Sequence, residues 1–182
     1  MNNKYTIQIL VYSLISLSSC NSNSSKTSTI NEQERLLSEF DASFEKIITS
    51  NSDQSEVIHI SKDSIDWNKE LFFLSYLDQL SPTKYDVINT YRKDSTISKT
   101  SYIPKDSKTE IKKLEIDFGK QSTIYHLQVS KDNYLQTSQK NLEIIFKNYG
   151  DQKIFQSYKL IGHQKTSTTD STFYHILGKS VY

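Results

Sequence analysis

The sequence is poor in the residues from which many catalytic and binding sites are built. Its 182 residues include one cysteine and four glycines. A single cysteine excludes an intramolecular disulfide and a cysteine-based metal site, and so few glycines offer little for loops whose backbone cradles phosphate. The sequence also lacks a nucleophile elbow, a phosphate loop, an HExxH motif and a paired-glycine dinucleotide fingerprint. We therefore expect neither an enzyme nor a cofactor site.

The chain also has no marked excess of positive or negative charge. The chain has 22 basic and 21 acidic residues, and Lys4 is the only charged residue among the first 19, so the remainder is formally neutral. Without a basic cluster, we expect neither nucleic-acid binding nor electrostatic docking on an anionic bilayer. The length suits one domain, and 12 Tyr, 8 Phe and 1 Trp provide large side chains for its core.

The N-terminus carries the most specific motif. Residues 5–17 are mostly apolar, follow the positive charge of Lys4 and lead into Leu-Ser-Ser-Cys at residues 17–20. The apolar segment is shorter than the ~20 residues that cross a bilayer core and fits a secretory signal. The whole segment resembles the lipobox of bacterial lipoprotein precursors. This resemblance implies that residues 1–19 are a signal peptide and that the Cys20 thiol receives the lipid.

The resemblance also implies a location. Two or three acyl chains would hold the mature protein on a membrane. Residues 20–30 are mostly Ser, Asn and Thr and predict a flexible tether, with a root-mean-square reach of ~18 Å for about ten residues. The tether lacks the acidic cluster that accompanies surface export in some Bacteroidota lipoproteins, so we expect an outer-membrane protein that faces the periplasm.

Residues 31–182 are expected to form one globular α+β domain. Apolar residues spaced three and four apart predict a helix over 31–50, which Asn31 and Glu34 can start as a capping box. A second helix is predicted from Asp63 or Ser64 through about residue 79, before Pro82. A short apolar piece between them, residues 57–60, is either a strand or an extended lead-in.

After Pro82 the apolar period changes to two, which is the pattern of β-strands. The predicted strands are 84–92, 96–103, 111–118, 123–130, 140–147, 153–163 and 172–181. Their short connections favour antiparallel neighbours. The predicted fold is therefore two N-terminal helices packed on one face of a curved antiparallel meander sheet of six to seven strands.

Strand registers can be tested against the two faces. Pairing around the Gly119 turn sets Leu114 opposite Leu127, and the next turns set Leu142 opposite Tyr158. One face then stays apolar and the other polar, as in a sheet that is wet on one side. The predicted polar face carries Lys113, Glu115, Asp117, His126, Glu143 and Lys159.

A second resemblance covers the segment from the predicted second helix to the first strand after it. It is carried by Asp66-Trp67, Lys69-Glu70-Leu71, Leu77-Asp78, Pro82 and Tyr85. This run resembles a group of small Bacteroidota lipoproteins that share a helix opening with Asp-Trp, a Leu-Asp step, a proline and strands to the end. Their usual Asn-Lys-Pro is replaced by Ser81-Pro82 here. The resemblance implies a location and a fold, and no activity.

Candidate chemistry rests mainly on histidines. His126 is predicted opposite Glu143, either as an acid–base pair or as a solvated cross-strand pair, and we favour the second. His163 and His175 share that face, two residues from direct opposition, but have no further metal ligands, and the remaining histidine, His59, has no predicted role. Asp63 and Asp66 flank a helix start, where carboxylates are expected. The sequence therefore predicts no metal site.

The aromatic content is the last feature with two interpretations. Either the large rings fill the core, which we favour, or they line an apolar pocket between helices and sheet. The rings concerned are Trp67, Phe72, Phe73, Phe118, Tyr125, Phe146, Tyr158 and Tyr174. The expected function is a membrane-anchored envelope lipoprotein that binds another envelope component without catalysis. The alternative is a carrier or sensor of an apolar, lipid-like ligand.

Overall fold

A computed structural model describes residues 29–50, 55–134, 136–166 and 171–182. The predicted signal peptide, Cys20 and most of the predicted tether lie outside these ranges. Within them, the chain forms one open antiparallel sheet of nine strands, in the spatial order β2-β1-β9-β8-β7-β6-β5-β4-β3. Short helical segments pack against one face of the sheet, which we call the inner face.

The helical segments are α1 (Thr29–Glu39), α2 (Trp67–Glu70) and α3 (Ser75–Asp78), with 3₁₀ turns at Lys62–Ser64 and Phe72–Leu74. The strands are β1 (Ser43–Ser50), β2 (Ser55–Ile60), β3 (Tyr85–Tyr91), β4 (Ile97–Pro104), β5 (Ile111–Phe118), β6 (Ser122–Asp132), β7 (Gln136–Tyr149), β8 (Gln152–Thr166) and β9 (Thr172–Val181). None of the helices in the described ranges combines the length and the apolar character that a bilayer crossing requires.

The predicted helix over 31–50 is wrong in its second half. Helix α1 begins at Thr29, inside the predicted tether, and ends at Glu39. Asp41 then adopts a positive φ of 54°, and residues 43–50 form β1 between β2 and β9. The β-branched run Ile47-Ile48-Thr49 favours a strand, and pairing on both sides outweighs the helical spacing. With β1 and β2 added to the seven predicted strands, the sheet is larger than the six to seven expected.

The second predicted helix is also wrong as a continuous element. Residues 62–78 form a chain of short helical and 3₁₀ turns. Asp66 caps α2, because its side chain accepts a hydrogen bond from the Lys69 backbone N–H at 3.2 Å. Trp67, Leu71, Phe73 and Leu74 are all buried. A continuous helix would place Trp67, Leu71 and Leu74 on one side and turn Phe73 about 100° away from Leu74, whereas the breaks between the turns allow Phe73 to enter the core as well.

All seven strands predicted after Pro82 are present, and the β5–β6 register, with Leu114 opposite Leu127, is confirmed. The β7–β8 register differs by two residues, since Leu142 lies opposite Leu160 and not Tyr158. The register shifts between Ile145 and Phe146, where a β-bulge leaves Gln156 of β8 without a direct partner. Up to the bulge, this shift of two residues keeps each side chain on its expected face. Beyond the bulge the shift is one residue, since Phe146 lies opposite Phe155. Phe155 is therefore buried and Gln156 exposed, the reverse of the predicted faces.

The core lies between the inner face and the helical turns and is dominated by aromatic rings. The Phe73 and Tyr158 ring centroids are 4.5 Å apart, and Phe44 packs edge-on against Trp67 at 5.8 Å. A Cβ on Gly178 would lie 2.4 Å from the Tyr158 ring and 2.7 Å from the Phe44 ring. The glycine thus gives these rings room to lie directly on the sheet.

Helix α1 is hydrogen-bonded to the sheet through one buried side chain, Gln33. Gln33 is only 3% exposed. Its Nε2 donates to the Lys153 carbonyl at 2.8 Å, and its Oε1 accepts from the Phe155 backbone N–H at 2.7 Å. Pairing of β8 with β9 begins only at Ser157. The Gln33 amide therefore takes the place of a neighbouring strand for this part of β8.

Replacing Gln33 with alanine removes both hydrogen bonds and leaves a buried N–H and a buried carbonyl unpaired. We expect a loss of about 2–4 kcal/mol in the free energy of unfolding, measured by urea denaturation. Glu32→Gln, at an exposed position of the same helix, should change it by less than about 0.5 kcal/mol. Equal stability of the two variants would contradict the bridging role of Gln33.

Candidate functional site on the outer sheet face

The face of the sheet opposite the helical layer, here the outer face, carries an exposed surface that combines apolar and charged groups. The strands alternate between the two faces, so Phe44, Tyr158 and Gly178 point inward while their neighbours Glu45, Lys159 and Leu177 point outward. Because the described helical turns pack on the inner face, the outer residues are not covered by them.

An apolar belt crosses the outer face where β2, β1, β9, β8 and β7 run side by side. Its members are Ile47, Val57, Ile145, Ile161, Phe173 and Leu177. Val57 is 53% exposed and Phe173 is 59% exposed. Ile47, Ile145 and Leu177 border a depression of about 350 Å³, whose lining also includes Glu45, Glu143, Lys159 and Lys179. Contiguous exposed apolar surface rimmed by polar groups is typical of interaction sites.

Charged residues flank the belt at both ends. On one side, Glu45 contacts Lys179 at 3.1 Å and His59 at 3.6 Å. On the other side, ion pairs run across β4, β5, β6 and β7. They join Lys113 to Glu115 (3.1 Å), Lys99 to Asp117 (3.5 Å), His126 to Asp117 (3.5 Å) and His126 to Glu143 (3.6 Å). All six residues of the predicted polar face belong to this face.

The predicted opposition of His126 and Glu143 is confirmed, and its geometry fits a solvated pair. The 3.6 Å separation between Nδ1 and Oε2 is too long for a hydrogen bond, and both side chains are more than 40% exposed. The long separation and the exposure agree with the preferred interpretation, a solvated cross-strand pair. Asp117 on the other side of the ring makes this a charge ladder across strands.

His163 and His175 lie diagonally across β8 and β9, as predicted, but do not form a site. His163 packs on the Phe173 ring at 4.9 Å. The His175 Nε2 is buried and makes no hydrogen bond to the described residues. No group of three or more potential metal-ligating side chains occurs in the described ranges. Of the carboxylates near the helix start, Asp66 is a cap and Asp63 is exposed.

The aromatic rings considered for an apolar pocket occupy the space between helices and sheet themselves. Trp67, Phe73, Phe146 and Tyr158 are buried in the core, and three further rings pack against them, those of Phe118, Tyr125 and Tyr174. Phe72 is 43% exposed. The preferred interpretation of these rings as core side chains agrees with this packing.

Sequence reasoning missed a buried ion pair under the helical turns. Lys46 Nζ lies 2.9 Å from Glu70 Oε2, and only 7% of the Glu70 side chain is exposed. Burial, and secondarily the charge of Glu70, raises the pKa of the Tyr158 hydroxyl well above its ordinary value. The signal that could have revealed the pair was Lys46, which interrupts the apolar residues of a segment first assigned to a helix.

Comparison of the chain with models of protein families, with curated proteins and with solved structures finds no match. The geometry of the outer face is therefore the structural basis for a functional hypothesis.

The charge ladder allows a pH test. A hydrogen bond from Lys113, with added attraction from Lys99, holds the pKa of Glu115 below its ordinary value. The ionised Glu115 carboxylate therefore stabilises the folded state at pH values above its unfolded-state pKa. This contribution is lost as the pH falls through the folded-state pKa. We expect Lys113→Met to raise the Glu115 pKa, measured by carboxyl NMR titration. Lys131→Met, which removes an exposed pair with Glu110, should leave it unchanged, and equal shifts in both variants would contradict this assignment.

Proposed function

We propose that the chain is a cell-envelope lipoprotein, anchored through Cys20, whose folded domain binds another envelope component without catalysing a reaction. The anchor is supported by the sequence alone, through the lipobox-like Leu-Ser-Ser-Cys after a short apolar segment. The proposal places the protein on the outer membrane, with the folded domain facing the periplasm.

One observation carries the binding role. The described helical turns pack on the inner face of the sheet, yet the outer face presents Ile161, Phe173 and Leu177 at 38–59% exposure. A sheet that merely faced solvent would carry polar residues at these positions. An uncovered apolar belt with charged flanks has the composition of an interface, with apolar contacts at its centre and polar contacts at its rim.

The start of the domain is compatible with a short tether. Helix α1 begins at Thr29, whose backbone N–H and hydroxyl both donate to Asp78 of α3, at 3.1 and 2.5 Å. Eight residues separate Cys20 from Thr29, with a root-mean-square reach of about 16 Å if they behave as a flexible coil. The Thr29 end of the domain would thus stay close to the membrane surface.

The anchor predicts the chemical form of the mature protein. Mass spectrometry of the chain purified from the membranes of its native host should find residues 1–19 absent and diacylglyceryl on the Cys20 sulfur. Cys20→Ser should abolish incorporation of labelled fatty acid while leaving expression intact. A natural chain that retains residues 1–19 and carries no lipid would contradict the proposed anchor.

The belt predicts where a partner touches. A photo-crosslinking amino acid placed at Ile161 in the anchored chain should give a discrete adduct in native membranes. Leu177→Asp should abolish this adduct, because a charge in the middle of an apolar contact is costly. Tyr134, 95% exposed in the β6–β7 turn, is the control position and should give none. Similar adducts at both positions, or an adduct indifferent to Leu177→Asp, would exclude the belt as the binding surface.

A further inference from the structure

The strand β3 forms one edge of the sheet. Two hydrogen bonds show which of its residues direct their backbone N–H and C=O groups toward β4. The Lys105 N–H donates to the Lys84 carbonyl at 3.0 Å, and the Arg92 N–H donates to the Thr96 carbonyl at 2.8 Å. Alternate residues of an antiparallel strand direct their backbone groups to the same side. Residues 84, 86, 88, 90 and 92 therefore face β4, whereas Val87, Asn89 and Tyr91 direct their N–H and C=O groups outward, where no described strand lies.

Pro104 provides an independent check of this polarity. It lies opposite Tyr85 in the β3–β4 register, one step from the hydrogen-bonded pair of Lys84 and Lys105. A residue without an N–H fits only a position that has no ladder hydrogen bond to donate. The outward direction of Val87 and Asn89 on the edge strand follows from the same alternation.

This edge lacks most of the devices that keep sheet edges apart. Natural edge strands usually carry lysine or proline, or are very short. The seven residues of β3, Tyr-Asp-Val-Ile-Asn-Thr-Tyr, contain neither residue, and the register shift at Thr90/Tyr91 lies at the end of the strand. Val87, Ile88 and Tyr91 are 43%, 52% and 59% exposed. The edge therefore offers apolar side chains and backbone groups that pair with no strand in the described part of the chain.

The sequence of β3 is complementary to itself. Antiparallel pairing of two copies about a twofold axis at Asn89 sets Asp86 opposite Arg92, Val87 opposite Tyr91 and Ile88 opposite Thr90. The hydrogen-bonded pairs then fall on Val87, Asn89 and Tyr91, which have the outward backbone groups, and give about six hydrogen bonds at two per pair. Pairing about Ile88 instead would place Asp86 opposite Thr90 and leave its charge unmatched.

The charged ends of this register make few ion pairs within the chain. Among the described residues, Arg92 has no carboxylate within ion-pair distance; its guanidinium donates to the Thr96 hydroxyl and to the Ile97 and Phe118 carbonyls. Asp86 is 66% exposed and makes one ion pair, with Lys105 at 3.5 Å. Opposite charges on directly facing residues stabilise strand pairs, and like charges destabilise them.

We propose that β3 is a self-association edge, through which two copies of the chain pair antiparallel about Asn89 and join their sheets into one continuous sheet. A second copy of this chain is the partner, because its own β3 supplies the matching charge, apolar and backbone positions. The proposal needs neither the lipid anchor nor the apolar belt, so its failure would leave the proposed function intact.

Disulfide trapping in the full-length chain in native membranes tests this register. The axis sets position 89 next to its own symmetry mate, about 5.5 Å between Cα atoms, which a disulfide can bridge. Asn89→Cys should therefore give covalent dimers under mild oxidation. Asn89→Cys also removes the hydrogen bond between Asn89 and Thr100, which could disturb the strand. A second variant, Ile88→Cys with Thr90→Cys, keeps that bond and should also give covalent dimers, because residue 88 of one copy directly faces residue 90 of the other. The unsubstituted chain, which contains only Cys20, and Tyr134→Cys are controls and should not.

Charge variants in the Asn89→Cys background test the pairing itself. Asp86→Arg should reduce the dimer at least fivefold, because it sets Arg opposite Arg92, and adding Arg92→Asp should restore it. Glu56→Arg, the same charge reversal at an exposed position of the opposite edge strand β2, is the matched control and should leave dimer formation unchanged. The proposal is overturned if neither cysteine variant forms dimers, if Tyr134→Cys forms as many, or if Ile88→Cys alone forms them, since that places the axis elsewhere.

Discussion

The helical layer of this protein depends on a side-chain amide that replaces a missing β-strand. At the β8 bulge the sheet splays, and the stretch before Ser157 has no pairing with β9. Buried backbone groups must be paired, and Gln33 pairs both the Lys153 carbonyl and the Phe155 N–H. From β9, the Ser180 hydroxyl donates to the Phe155 carbonyl at 2.9 Å. The two hydrogen bonds of Gln33 thus fix the position of helix α1, and of the turns that pack against it, relative to the sheet.

The sequence predicted the sheet better than the helical layer, for a physical reason. From β3 onward the alternation of apolar and polar residues is regular enough for a period of two to locate all seven strands and the His126–Glu143 opposition. In residues 31–50 both faces of β1 carry apolar side chains, since Phe44 enters the core while Ile47 lies in the belt. Such a strand has no alternation, and spacings of three and four between its apolar residues then imitate a helix.

The apolar belt could not be predicted from the sequence, for a related reason. Ile47, Ile161 and Leu177 read as ordinary strand residues until topology sets β1 beside β9, which joins the two ends of the domain. Long-range pairing of this kind leaves no local signal. Cys20 is the reverse case, because its motif is entirely local and the described residues do not include it. The proposed anchor and the candidate surface thus rest on separate kinds of observation.

The contact of aromatic rings with glycines makes some positions interdependent. A methyl group on Gly178 would overlap the Tyr158 and Phe44 rings, and one on Gly162 would come within 2.1 Å of the Tyr174 ring. Neither glycine can change alone without displacing a ring. Orthologous chains should therefore exchange each glycine only together with the loss or shrinkage of its covering ring, and such paired exchanges would identify true relatives even where the remaining residues have diverged.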